Sequence, residues 1–287
     1  MSRIILISDT HHGGGPDGYR LQPCNIDRLP ELYAALTGWI RQTGGADLVL
    51  HAGDAVERAE PDLIAEAVAQ LDALPVPVRL ALGNHDLTRP DALALWRRSA
   101  GQLLPAGQPA YAVHCDDCCV HVLPTHWGDP PFFWAGDSPR AACAEADLVA
   151  TEMRIRESPC AVHLLVCHAA PGGIPADQLG GEQERDAPPA AYVDQLAGLV
   201  ERNPTVRLIL SGHSHANTVG ALGTAHWATV SSFSESPFEV MDLRVTAKGL
   251  RMYTVPLFAR LAWRARYDWG SAWVQGRACD RALEMCW

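Results

Sequence analysis

Asp9, His11, Asp54, Asn84, His168, His213 and His215 are the residues of this chain whose types and spacing could do chemistry together, and that chemistry is metal binding. They occur as Asp9-Thr10-His11, Gly53-Asp54, Gly83-Asn84-His85-Asp86, a lone His168, and Gly212-His213-Ser214-His215. Carboxylate, imidazole and amide donors without a thiolate suit manganese, iron or zinc. Asp54 has two oxygens and can bridge two cations, while Asn84 adds a neutral oxygen ligand. Two ions roughly 3.5 to 4 Å apart can hold a hydroxide between them and clamp phosphate oxygens during in-line displacement. Residues two apart in extended backbone face the same way, so Asp9 with His11, and His213 with His215, are each expected to reach one ion. Glycines 53, 83 and 212 let the backbone turn sharply and approach the ions.

These ligands need elements to carry them. Ile4 to Ile7, Leu48 to Leu50, Val78 to Leu82, Val162 to Val166 and Val206 to Leu210 are apolar runs bounded by turn residues and are read as buried strands. Each ends just before a ligand cluster, and in an open α/β sheet the carboxyl ends of the strands line the ligand crevice. An isolated Asp-x-His or Gly-Asp arises by chance in most proteins of this size; an ordered set with each member following a strand does not. Helical patterns fall between the strands at Ile26 to Thr43, from Pro61, from Pro90, at Pro139 to Glu157 and at Pro188 to Arg202. Thr224 to Val230, Phe238 to Val245 and Leu250 to Leu257 read as further strands with a turn at Lys248-Gly249, and Tyr111 to Pro124 as another pair. The expectation is an α/β chain with a mixed sheet, or two packed sheets with helices outside.

Composition limits what such a centre can serve. The chain of 287 residues is 48% hydrophobic, enough for one large domain with or without a short appendage. Its 33 acidic against 23 basic residues argue against non-specific polyanion binding, and no stable nucleic-acid complex is expected. There is no signal-peptide pattern and no apolar stretch long enough to span a membrane, so a cytoplasmic location is expected. Nine cysteines at irregular spacing read as reduced thiols, not a disulfide framework.

The ordered motif set from Asp9 to His215 resembles the calcineurin-like metallophosphoesterase superfamily. The resemblance implies a four-layer α-β-β-α sandwich of two mixed sheets flanked by helices, with two divalent ions (manganese, iron or zinc) at its centre. Carried over by motif, Asp9, His11, Asp54 and His215 would bind one ion, with Asp54 bridging to a second held by Asn84, His168 and His213. His85 would face the substrate and protonate the leaving oxygen. The segment Gly53 to Pro61 and the Gly-Asn-His-Asp motif are also similar to bacterial class III cyclic-nucleotide phosphodiesterases. Two departures touch substrate-facing loops: Cys167-His168-Ala169-Ala170-Pro171 replaces paired histidines, and three glycines follow Asp-Thr-His-His. The implied function is a phosphodiesterase on a small or nucleotide-like substrate, using a metal-bridging hydroxide. A phosphomonoesterase is the alternative, with a nuclease or a non-catalytic protein-binding scaffold behind it.

Glu57 falls where some members pair an acid with the catalytic histidine, so a Glu57 to His85 contact is expected, against a solvated helix-entry role; Arg58 is a candidate phosphate contact on the same terms. His12 should point away from the ion, onto the surface or the substrate rim, and His126 heads an aromatic loop with Phe132, Phe133 and Trp134 that either covers substrate or packs the sheet edge. His51 and His163, within strands, read as satisfied core histidines. The catalytic domain is placed at residues 1–257. Residues 258–287, rich in Trp and Arg, are expected to pack on the core or to form a homodimer contact.

Overall fold

In the computed structural model, which describes residues 1–15, 19–127 and 140–287, the apolar runs become the strands of two sheets. In chain order the strands are β1 (Ser2–Ile7), β2 (Leu48–His51), β3 (Val78–Leu80), β4 (Tyr111–His114), β5 (Cys119–Val122) and β6 (His163–Val166). They continue as β7 (Val206–Ser211), β8 (Thr218–Leu222), β9 (Ala225–Thr229), β10 (Glu239–Thr246), β11 (Gly249–Pro256) and β12 (Ala282–Cys286). One sheet has the order β12-β11-β10-β1-β2-β3 and the other β4-β5-β6-β7-β9-β8. Both are mixed. The first runs parallel across β1, β2 and β3 and antiparallel from β10 outward; the second is parallel from β5 through β6 and β7 to β9, with antiparallel strands at both edges. Strands β1, β2, β5 and β6 are buried along their whole length, as strands covered on both faces must be. Residues of both sheets share one apolar core.

The helices are α1 (Leu29–Gln42), α2 (Pro61–Asp72), α3 (Ala92–Ser99), α4 (Glu145–Glu157), α5 (Ala176–Leu179), α6 (Ala190–Arg202) and α7 (Ala278–Arg281). Helix α1 buries Leu29, Leu32, Leu36, Trp39 and Ile40 along one face, after a single 3-10 turn at Ile26–Arg28. Proline opens α2 directly, whereas α3 begins two residues after Pro90. Helix α4 starts at Glu145, later than expected, and Pro139 lies outside the described residues. No helix among the described residues is long and apolar enough to cross a membrane.

Strands β8 and β12 are absent from the sequence reading. In β8, Gly220 interrupts the β pattern because the ring of Trp227 fills the place of a side chain: a Cβ there would lie 2.4 Å from its Cε2. In β12, Ala-Leu-Glu-Met-Cys favours a helix by propensity, and pairing with the open edge of β11 overrides that preference. The chain after Leu257 therefore returns to the first sheet as its edge strand.

Candidate metal centre

Beyond the strands, the loops that carry the ligands are zipped to one another. Asp9, His11 and His12 donate their backbone N–H groups to the carbonyls of Gly53, Asp54 and Ala55, each at 3.0 Å, and Glu57 N–H returns to His12 at 2.9 Å. This extends the β1–β2 pairing through both ligand loops. The ligand residues themselves are not extended. Asp9, His11, Asp54, His213 and His215 have φ of 56°, 50°, 54°, 70° and 54°, so the same-face argument for residues two apart does not hold for them. Left-handed backbone at non-glycine residues is costly and persists where surrounding contacts over-determine it. Gly53 shows how tightly the loops press: its φ is 114°, and a Cβ on it would lie 2.3 Å from His168 Nδ1. A Cβ on Gly83 would lie 2.1 Å from Asp54 Oδ1.

Two groups of ligand atoms result. Asp9, His11 and His215 form one, with the Nε2 atoms of His11 and His215 3.2 Å apart and Asp9 Oδ1 3.5 Å from His215 Nε2. Asp54, His168 and His213 form the other. Asp54 lies between them, its Oδ2 3.2 Å from His168 Nε2 and 4.0 Å from His11 Nε2. The residues fit a pair of metal ions. Asn84 Oδ1 is buried without a hydrogen-bond partner, a costly arrangement for a polar atom that an ion would relieve. Three of the histidines are also oriented from behind. His168 Nδ1 faces the Ala52 carbonyl at 2.8 Å, His215 Nδ1 faces Glu235 Oε1 at 2.6 Å, and His11 Nδ1 lies 3.0 Å from Glu57 Oε2. Such outer partners fix the tautomer that leaves Nε2 free for an ion. Burial lowers the His168 pKa, but Asp54 and Asp9 outweigh it and raise it to about 9; burial depresses His213 to about 3.

His85 stands at the rim, partly exposed, with its ring edge against His11 at 4.8 Å. Its backbone N–H donates to Asp54 Oδ1 at 2.8 Å and its Nδ1 is 3.0 Å from the Glu57 carbonyl. The Glu57 carboxylate is farther, Oε1 to His85 Nδ1 being 3.8 Å, because its other oxygen is taken by His11 and by Arg20 Nη2 at 3.0 Å. Arg58 is exposed. His12 is not brought to the cluster: it is buried, stacked on Tyr33 at 5.9 Å, with Nδ1 3.6 Å from Glu66. His126 bonds Asp147 at 2.8 Å and bridges Ala142, tying its loop to the start of α4. Phe132, Phe133 and Trp134 lie outside the described residues. The neighbouring Trp127 packs over His213 and His168, at ring distances of 5.1 and 5.8 Å.

Glu235, Arg20 and Tyr19 escaped the sequence reading. Glu235 also accepts the backbone N–H groups of Leu21 and Gln22, at 2.9 and 2.7 Å, so it anchors the incoming loop and His215 together. Tyr19 sets its ring edge against His215 at 5.2 Å, bonds Asp186 and lies beneath Arg185. None of the three stands in a motif. Only the fold brings these loops together.

A family model described as calcineurin-like phosphoesterase matches residues 2–217. No curated protein matches the sequence significantly. Among solved structures, a dimetal phosphatase from Danio rerio aligns with a TM-score of 0.65 at 15% identity, covering 89% of this chain and 96% of that one. The purple acid phosphatase PPD1 of Lupinus luteus aligns at 0.54 and 13%, covering 89% and 51%, and a NAD nucleotidase of Haemophilus influenzae at 0.51 and 14%, covering 93% and 49%. At these identities the neighbours establish the fold, two mixed sheets with helices, and the family model establishes descent. This chain belongs to the calcineurin-like phosphoesterases.

Proposed function

We propose that this chain hydrolyses a small or nucleotide-like phosphodiester at the centre built around Asp54. The observation that carries the reading is Asp54 itself, whose carboxylate lies between two groups of buried ligand atoms while its other oxygen fixes the backbone of His85. Asp9, His11 and His215 with Asp54 would hold one divalent ion, and Asp54, Asn84, His168 and His213 the other. Bound there, the two ions would activate water near neutral pH and clamp the phosphoryl oxygens. The chain supplies the rest. His85, with its Nδ1 oriented by the Glu57 carbonyl, would turn Nε2 toward the leaving oxygen as its proton donor. Glu57 buttresses His11, and the exposed Tyr19 offers ring surface beside His215 for a base or another flat group. Arg20, drawn in by Glu57, has its charge balanced, which suits a diester monoanion better than a monoester dianion. The similarity of the Gly53 to Pro61 segment to cyclic-nucleotide phosphodiesterases points the same way.

The test compares turnover of a chromogenic phosphodiester and the matching monoester with manganese added. Diester turnover well above monoester turnover, lost in Asp54→Asn, is the expected result. His85→Asn should keep its metal and lose about 10² to 10⁴ in kcat. A monoester preference would move the reading to a phosphatase, the activity in the names of the zebrafish and lupin neighbours. Activity surviving in Asp54→Asn would overturn the mechanism.

A further inference from the structure

At the far end of the second sheet, near the starts of β5 and β6, three ligand-type side chains meet where the phosphoesterase chemistry has no use for them. Cys119 and His121 lie two apart on β5 and His163 opens β6, directly opposite Cys119 in register. One ligand atom from each lies within 4.8 Å of the others, and the three side chains are 0%, 0% and 1% exposed. We propose that Cys119, His121 and His163 form a second, separate metal site for a borderline-soft ion such as Zn²⁺, cross-linking β5 to β6.

The geometry fixes the donors. His163 Nε2 faces the Cys160 carbonyl at 3.0 Å; a carbonyl only accepts, so Nε2 carries the proton and Nδ1 presents a lone pair. That lone pair points at His121 Nε2, 2.8 Å away, and the other ring nitrogen of His121 is buried without a hydrogen-bond partner. The Cys160 carbonyl behind His163 is the outer partner a ligating imidazole takes, while His121 Nε2–H donates to His163 Nδ1 until an ion takes that place and the proton moves to the buried His121 Nδ1. Burial depresses both histidines, His121 to about 3 with His163 adding to the effect, so both are neutral and ready to ligate. Burial, with Cys160 second, raises the Cys119 thiol to about 12, so it is protonated until an ion arrives. Binding then exchanges one S–H proton, released to solvent, for one S–metal bond. The new thiolate would also balance Arg154, the cation of α4 that acts on both Cys119 and His121. Cys160, half-buried and 3.7 Å from exposed His114, lies between the group and solvent.

Cobalt tests this site apart from the phosphoesterase centre, because the Asp, His and Asn ligands give no sulfur-to-metal charge transfer. The metal-stripped protein is titrated with Co²⁺ while near-ultraviolet absorption and bound metal are read. The expected result is an intense sulfur-to-cobalt band in the wild type, retained in Asp54→Asn and in a Cys279→Ser/Cys286→Ser variant. Cys119→Ser should lose the band and one equivalent of cobalt, keeping turnover and far-ultraviolet circular dichroism. His121→Asn should weaken the band's apparent affinity at least tenfold, which reads the site even where Cys119→Ser folds poorly. Absence of a sulfur band in the wild type, or a band unchanged in both His121→Asn and Cys119→Ser, would overturn the proposal.

Discussion

Glu235 shows how far the candidate metal centre extends beyond the residues proposed as its ligands. Its carboxylate holds His215 Nδ1 at 2.6 Å and two backbone N–H groups with its other oxygen, all buried. Removing the charge while keeping the shape, in Glu235→Gln, should weaken manganese binding about 10- to 100-fold with the fold intact. Equilibrium dialysis with circular dichroism reads both, and an unchanged affinity would reduce Glu235 to a loop anchor. His168 carries a second prediction. Burial lowers its pKa, yet Asp54 raises it to about 9, so the metal-free centre holds a proton there at neutral pH. An incoming ion must displace it. Apparent metal affinity should therefore fall as pH drops below about 9, and calorimetry in two buffers of different ionisation enthalpy should show proton release on manganese binding. Binding at pH 7 without proton release would refute the His168–Asp54 pairing.

At the scale of elements, the strands that end in ligands were legible because parallel strands buried on both faces are continuous apolar runs, and β1, β2, β6 and β7 are such runs. The candidate ligand residues could be picked out for a related reason: each motif follows a strand end. The backbone of the ligand loops was not legible, since nothing in Asp-Thr-His announces left-handed φ at both Asp9 and His11. Partners that reach the site from elsewhere in the chain were hidden too. The resemblance suggested a Glu57 to His85 pairing, but the carboxylate sits nearer His11 and Arg20, and it is the Glu57 backbone carbonyl that meets His85 most closely. The strained loops make Gly53 a sensitive position. Gly53→Ala places a Cβ against His168 at φ 114°, and should cost about 1 to 3 kcal/mol and reduce metal content. Urea denaturation with elemental analysis checks it; a neutral result would mean the loop relaxes freely.

For the whole molecule, the segment after Leu257 is where sequence reasoning was weakest and the fold is most explicit. It supplies β12 at the edge of the first sheet, and its Arg277 and Arg281 pair with Asp177, Asp280 and Glu239. Arg281 reaches the buried carboxylate of Glu239 at 2.7 Å, alongside Gln275 at 3.2 Å and the Asn217 side chain, while Asp280 accepts from Val219 N–H at 2.9 Å. Residues after Leu257 thus satisfy a carboxylate that lies in β10, beside the strand that begins the metal centre. Deleting 258–287 would leave Glu239 without Arg281 and Gln275, and a buried charge deprived of its partner destabilises by about 3 to 5 kcal/mol. Arg281→Met isolates that effect from the loss of the edge strand. Its midpoint in urea should drop by nearly as much as the truncation, and Arg281→Met/Glu239→Gln should recover most of the loss, because the double variant no longer buries a lone charge. If Arg281→Met alone leaves the midpoint where it was, the Glu239 carboxylate is held by Asn217 and Gln275, and the segment contributes through strand pairing only.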